Sequence, residues 1–238
     1  MTLAILVPVL RREHQIAPLL ESLAATTDVD YRVIFICSPS DHGAIEVCLA
    51  SEGDTITVPW VPDRADFAKK INLAYGMVEE EWYFQAATDL VFQEKWASRA
   101  FHIAQASRCG VIGTNDLGNP LVKKGNHATH IIFSRAYIEQ HGGTFDNTGA
   151  VFSEVYDHQF VDTEFVQTAL RRGQFKPSLR SIVEHMHPHW GKGEMDDTYV
   201  KSERSFREDM TLFNQRMRML RGVSPTRYRS SRVPRVIR

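Results

Sequence analysis

The chain has 238 residues, 43% of them apolar and 24% charged, a composition ordinary for a soluble globular protein with one sizeable core. No apolar run approaches the roughly 20 residues a membrane-spanning helix needs, and the N-terminus lacks the basic lead-in and cleavage site of a signal peptide. Net charge is −1, but residues 221–238 hold six arginines and no acid, so the remainder carries −7. That Ser- and Pro-containing end reads as a basic, irregular tail suited to an anionic partner. Three widely spaced cysteines, Cys37, Cys48 and Cys109, argue for reduced thiols in a cytoplasmic compartment and against a disulfide framework or a zinc site.

Along the chain, the first half alternates in period. Residues 4–8 form a β-type run. Residues 13–25 put Ile16, Leu19, Leu20 and Leu23 at helical spacing. Residues 31–37 are a second strand rich in β-branched and aromatic side chains. Residues 41–51 predict a helix capped by Asp41, 55–59 a third strand, and 66–78 a helix with Phe67, Ile71, Ala74 and Tyr75 on one face. A fourth strand at 82–86, a helix at 94–106 and a fifth strand at 110–113 follow. Strand–helix alternation of this kind predicts a parallel sheet wrapped by helices, with ligands at the C-terminal strand ends. Neither a dinucleotide fingerprint nor a phosphate-cradling Gly-Lys-Ser/Thr loop is present, which argues against a dehydrogenase and a P-loop NTPase.

The second half changes character. Residues 116–120 read as a loop, 127–134 as a strand, 135–140 as a short helix stopped by Gly142-Gly143, 158–172 as a helix ending at Gly173, and 181–185 as a late strand. Residues 197–220 predict a long helix whose Phe206, Met210, Phe213, Met217 and Leu220 mark one buried stripe, for the core or for a homo-oligomer. No linker divides the chain. The expectation is one domain over 1–220, with halves 1–114 and 115–195, a closing helix over 196–220, and the tail.

Three places hold candidate chemistry. Asp89 ends the apolar run of the fourth strand, where an unpaired charge is costly unless it meets a cation or caps a turn. Asp162 and Glu164 sit two apart, about 200° around a helix, so they cannot act as one dyad; an acidic first turn is the plainer reading. His185 and His187, at strand spacing, face one side and can ligate a metal, within a cluster that also holds His189, Trp190 and Lys192.

The order of these features resembles the family-2 glycosyltransferases of the GT-A fold. A first strand ends in Leu6-Val7-Pro8; Lys69-Lys70-Ile71-Asn72-Leu73-Ala74 precedes the fourth strand; Ala87-Thr88-Asp89 stands for the Asp-x-Asp motif. Gly142-Gly143-Thr144-Phe145-Asp146 matches the Gly-Gly-x-Phe-Asp stretch, and Val161-Asp162-Thr163-Glu164-Phe165 with Arg171 approximates the Glu-Asp-x-Asp-Leu…Arg helix. The match spans roughly residues 3–190. Residues 115–120 and 187–192 resemble a subgroup from actinobacteria and their phages, which implies a bacterial or phage-infected host cytoplasm. Departures are Ala87 for the first motif Asp, Val161 for the Glu of Glu-Asp, and Cys37 to Asp41 where the nucleoside-binding acid usually stands.

The resemblance implies an α/β fold of GT-A type, with a mostly parallel sheet flanked by helices. It implies a metal-dependent, inverting transfer of a hexosyl or pentosyl unit from a nucleoside-diphosphate sugar to a hydroxyl. Mn²⁺ or Mg²⁺ would be held by Asp89 with His187 or His185, and Asp162 would be the general base. Pro8, Asp41, Asp63, Arg64, Lys69, Asn72 and Thr88 would contact the donor, with Asp66 also near the base or ribose. Asn115, Asp116, His127, Glu164 and Trp190 would shape the acceptor side. The acceptor is open among protein, glycan, lipid, small molecule and modified DNA. The competing readings are a nucleotidyltransferase and an inactive sugar- or nucleic-acid-binding module of the same fold.

Overall fold

A computed structural model describes residues 2–147 and 149–222. Residues 223–238, most of the expected basic tail, lie outside them. The centre is an eight-stranded sheet in the order β3-β2-β1-β4-β7-β6-β8-β5. Its strands are β1 (Leu3–Pro8), β2 (Tyr31–Cys37), β3 (Asp54–Thr57), β4 (Trp82–Gln85), β5 (Leu90–Phe92), β6 (Val111–Asn115), β7 (Ile131–Ser134) and β8 (Phe175–His185). β3, β2, β1 and β4 run parallel, β7 is antiparallel to both β4 and β6, β8 is parallel to β6, and β5 closes the edge antiparallel to β8.

The run Leu3 to Val7 is apolar on both faces because helices cover both faces, as a central parallel strand requires. Leu3, Ile5 and Val7 join one core with Ile16, Leu19 and Leu23 of α1 (Ile16–Thr26), Ala44 and Cys48 of α2 (His42–Leu49), and Trp96, Ala100 and Phe101 of α4 (Trp96–Ser107). Ala4 and Leu6 point the other way, toward Ala68, Ile71 and Ala74 of α3 (Asp66–Met77) and Phe165 and Ala169 of α7 (Val161–Arg171). This is the period-two alternation of a strand read out as two cores. Two short helices follow, α5 (Pro120–Lys123) against β6 and α6 (Arg135–His141) against β7, and α8 (Asp197–Gly222) packs on α7. No helix among the described residues is long and apolar enough to cross a membrane.

The expected mostly parallel sheet is present, with β7 and β5 as its two reversed strands; the corrections concern single elements. β5 follows Asp89 immediately and had no sequence counterpart; three residues are too few to show a period. β8 extends over eleven residues rather than five, since Lys176, Arg180 and Glu184 alternate with its buried positions. The long helix buries only the C-terminal part of the expected stripe, Phe213 packing against the core and Leu220 lying inside it, and adds polar residues to its inner face. Ser202, Ser205, Asp209, Arg216 and Leu220 are buried, whereas Phe206 and Met210 are 44% and 39% exposed. Polar side chains lie inside because each finds a partner. Asp209 accepts the backbone N–H of Asp157, His158 and Gln159 at 2.8–3.0 Å. Arg216 pairs with Glu164 at 2.7 Å and Asp146 at 2.8 Å. Phe160, stacked on Phe213 with ring centroids 5.0 Å apart, supplies the apolar contact.

Candidate active site

A cleft of about 480 Å³ opens at the C-terminal ends of β1 and β4, within the range of ligand sites. The end of β1, the residues after β4, the turn 157–163 and the first turns of α8 all line it. Arg11 (φ 53°), Ala65 (φ 61°) and Phe160 (φ 66°) occupy the left-handed region beside it, a conformation that costs energy in residues other than glycine.

Sheet register brings Asp89 and His185 together. Leu90 stands opposite His185 in the β5–β8 ladder, and the Met186 N–H donates to the Asp89 carbonyl at 2.9 Å. His185 Nε2 then lies 3.4 Å from Asp89 Oδ1. The other oxygen, Oδ2, accepts from Arg12 Nη1 at 2.9 Å and from the Tyr199 hydroxyl. Burial opposes the Asp89 charge, but His185, Arg12 and Tyr199 outweigh it and hold the carboxyl well below the usual carboxylate range. Oδ1 is buried and accepts no hydrogen bond. His187 lies beside this group, its ring centroid 4.9 Å from that of His185 and 4.4 Å from that of Tyr199. Its Nδ1 accepts from the His189 N–H at 3.1 Å, which leaves Nε2 open. Burial together with His185 and His189 pushes the His187 imidazole down to about 4.

Asp162 is the second residue of α7, where the helix dipole favours a carboxylate. Its Oδ1 accepts from the Thr163 N–H at 2.7 Å, and its Oδ2 lies 3.4 Å from His127 Nε2. Burial acts to raise the Asp162 carboxyl, yet His127 and Thr163 bring it below its ordinary value. For His127, burial is outweighed by Asp162 and then Asp116, so the imidazole is raised. The Asp162 side chain is 25% exposed, open to the cleft it lines.

Of the residues expected from sequence, Pro8, Asp63, Thr88, Asp89, His127, Asp162, His185, His187 and Trp190 line the cleft, as does Asp66. The others hold its frame. Asp41 occupies the cap position of α2, but its carboxylate accepts from the Arg11 N–H at 2.6 Å instead of capping the helix. Arg64 donates to the Val155 carbonyl, and Lys69 pairs with Asp63 at 2.9 Å. Asn72 ties α3 to the chain at Val151 and Phe152 through both ends of its amide. Asn115 bonds Leu179 and Leu117. Asp116 accepts from the Gly118 and Asn119 N–H and from the Thr129 hydroxyl. Glu164 is 1% exposed and bound to Arg216 and Tyr156, so it serves packing and does not face the cleft. Trp190 lies so close to Gly118 that an added Cβ would come within 2.5 Å of its ring.

Sequence reasoning missed Arg12, Lys70, His130, Asp196 and Tyr199. Lys70, 1% exposed, pairs with Asp66 at 2.8 Å and donates to the Val9 carbonyl at the cleft floor. Its i,i+4 acid was a readable signal. Among the described residues no group of three or more His, Cys, Asp or Glu side chains is arranged to hold a metal by itself. What the site offers is narrower: one buried carboxylate oxygen without a hydrogen-bond donor, with two imidazoles beside it. That donor set fits a cation whose remaining ligands come from substrate oxygens.

No family model and no curated protein matches the chain. Solved structures do. TarS of S. aureus in complex with UDP-GlcNAc superposes with a TM-score of 0.58 at 13% identity, over 84% of this chain and 64% of that one. The mannosyltransferase PcManGT from Pyrobaculum calidifontis, in complex with GDP-Man and Mn²⁺, gives 0.61 at 13% identity, over 80% and 58%. Glucosyl-3-phosphoglycerate synthase from Mycobacterium tuberculosis, in complex with phosphoglyceric acid, gives 0.53 at 11% identity, over 78% and 72%. The chain thus spans about three fifths of the length of the first two. The architecture, a helix-flanked sheet of this strand order closed by a C-terminal helix, is the GT-A fold of the glycosyltransferases.

Proposed function

We propose that the chain is a metal-dependent inverting glycosyltransferase, moving a hexosyl or pentosyl unit from a nucleoside-diphosphate sugar to an acceptor hydroxyl. One observation carries this reading: a single cleft at the strand ends is lined by Asp89, whose buried Oδ1 accepts no hydrogen bond and lies 3.4 Å from His185 Nε2, and by Asp162, an imidazole-paired carboxylate held ionised. The solved structures of like fold that hold UDP-GlcNAc, or GDP-Man with Mn²⁺, support the donor class.

In this reading Asp89, His185 and His187 would hold Mn²⁺ or Mg²⁺, together with oxygen ligands from the substrate. When bound, the ion neutralises charge building on the departing diphosphate. Ala87 supplies no second carboxylate, so the imidazoles take the place of the missing motif Asp. Pro8, Asp63 and Thr88 face the donor. Lys70 and Asp66 fix the floor beneath it, and Asn72, Arg64 and Asp41 act at one remove by holding the surrounding loops.

Asp162 Oδ2 takes the proton of the acceptor hydroxyl as that oxygen attacks the anomeric carbon on the face opposite the diphosphate. General-base assistance of this kind is typically worth about 10²–10⁴ in rate. His127 keeps the carboxylate charged and turned toward the cleft. Trp190 and Asn119 wall the acceptor side, with Asp116 holding the turn against which Trp190 packs.

A thermal-shift screen of UDP-, GDP- and dTDP-sugars with Mn²⁺ tests this. At least one donor should raise the melting temperature by several degrees through mass action. No shift with any donor, together with no donor turnover, would refute the assignment.

A further inference from the structure

Arg12 was not among the residues expected to matter, yet it lines the cleft. It lies just past β1, 8% exposed, in the segment Val9-Leu10-Arg11-Arg12. Three contacts fix its guanidinium. Nη1 donates to Asp89 Oδ2 at 2.9 Å, and Nε donates to Asp196 Oδ2 at 2.8 Å. The plane packs on the Tyr199 ring, 4.5 Å from its centroid. The third nitrogen, Nη2, is buried and has no acceptor among the described residues. A guanidinium carries its donors in a rigid fork, so anchoring two edges aims the third. A buried charged donor left unpaired is costly in the free protein, and an anion entering the cleft removes that cost.

The geometry points to Arg12 Nη2 as the donor that grips the β-phosphate of the leaving nucleoside diphosphate. This rests on the sugar-transfer reading and extends it. In the transfer, the bond between the anomeric carbon and the β-phosphate oxygen breaks, and its electron pair stays on that oxygen. The acceptor oxygen bonds to the carbon and gives its proton to Asp162. The diphosphate therefore gains one negative charge at the moment Arg12 faces it. A hydrogen bond that strengthens as this charge develops accelerates the step.

Charge balance says when this works. One guanidinium between Asp89 and Asp196 leaves the cluster net negative, the wrong sign for a diphosphate. A divalent cation held at Asp89 would reverse the sign. Arg12 is therefore a phosphate-binding residue whose contribution is large with Mn²⁺ present. Asp196 and Tyr199, at the start of α8, are positioning residues for it.

The test is calorimetry with Mn²⁺, using UDP and GDP and the matching nucleosides, on the wild-type chain and on Arg12→Gln and Arg12→Lys. Loss of one charge-assisted hydrogen bond should weaken nucleoside diphosphate binding about ten- to hundredfold in the Gln variant, and leave nucleoside affinity within twofold. Arg12→Lys keeps a cation but lacks the fork, and should recover only part of the loss. Wild-type diphosphate affinity in Arg12→Gln, in a protein that still transfers sugar, overturns the Arg12 assignment alone. So does an equal loss of nucleoside and diphosphate, which marks a collapsed site. Full diphosphate affinity in Arg12→Lys overturns the role given to the third edge. A wild-type chain that binds neither nucleotide nor donor overturns the sugar-transfer reading, and this assignment with it.

Discussion

His127 Nε2 lies 3.4 Å from Oδ2 of Asp162, and the two come from segments 35 positions apart. His127 enters from the approach to β7, Asp162 from the first turn of α7. Each alters the other: the imidazole lowers the carboxyl and the carboxylate raises the imidazole. The pair gives the proposed base a fixed orientation and keeps it ionised near neutral pH.

The first prediction concerns pH. A base works only when deprotonated, so the acidic limb of kcat/KM marks its loss. With Asp162 held below its ordinary value by His127, the wild-type limb falls below the usual carboxylate range. In His127→Gln the burial that raises the carboxyl is no longer opposed by the imidazole, so the limb should move to higher pH. A profile that extends well below the ordinary carboxyl value checks this; an unmoved limb would show that His127 does not tune the base.

The second prediction concerns the ion. Excess chelator should abolish transfer, and Mn²⁺ should restore it. In Asp89→Asn restoration should need a much higher Mn²⁺ concentration, because the side chain keeps one neutral amide oxygen but loses the carboxylate charge. Initial rates against free Mn²⁺ decide it. Full activity in chelator would remove Asp89, His185 and His187 as ligands.

The third concerns stability. Arg216 bridges buried Glu164 and partly exposed Asp146. Arg216→Ala leaves the Glu164 carboxylate buried without its cation, a change that costs about 3–5 kcal/mol. For a chain of this size that is about 10 °C in melting temperature. Asp146 is held below its ordinary value chiefly by its hydrogen bond to Arg216. Its contribution is therefore present above the unfolded carboxyl value and lost as pH falls through the folded one. Acid unfolding should start at higher pH in the variant. Thermal melts at pH 4 and 7 measure both effects.

Much of the frame was legible because it follows local rules. Residues 4–8 read as a strand, and Ile16, Leu19 and Leu23 share a helical face, as the structure has them. Asp89 could be placed at a strand end from its neighbours alone. The rest depended on tertiary partners. Nothing in residues 90–92 announces β5, yet its pairing with β8 is what carries His185 to Asp89. The inner face of α8 was misjudged in part, because apolar spacing points to Phe206 and Met210, while Asp209 and Arg216 are buried by partners more than 50 positions upstream in the chain. Glu164 looked like an acceptor-side acid for the same reason, its true partner lying on α8. Arg12 had no periodic signal at all; only Asp89, Asp196 and Tyr199 converging on it reveal what it does.

The most direct measurement of the central claim compares donor turnover with donor binding in Asp162→Asn. With a donor the wild type uses and Mn²⁺ present, release of nucleoside diphosphate should fall by about 10²-fold or more, while calorimetric affinity for that donor stays within a few-fold. Turnover at the wild-type rate would contradict the account, since the proton would then leave the acceptor by another group.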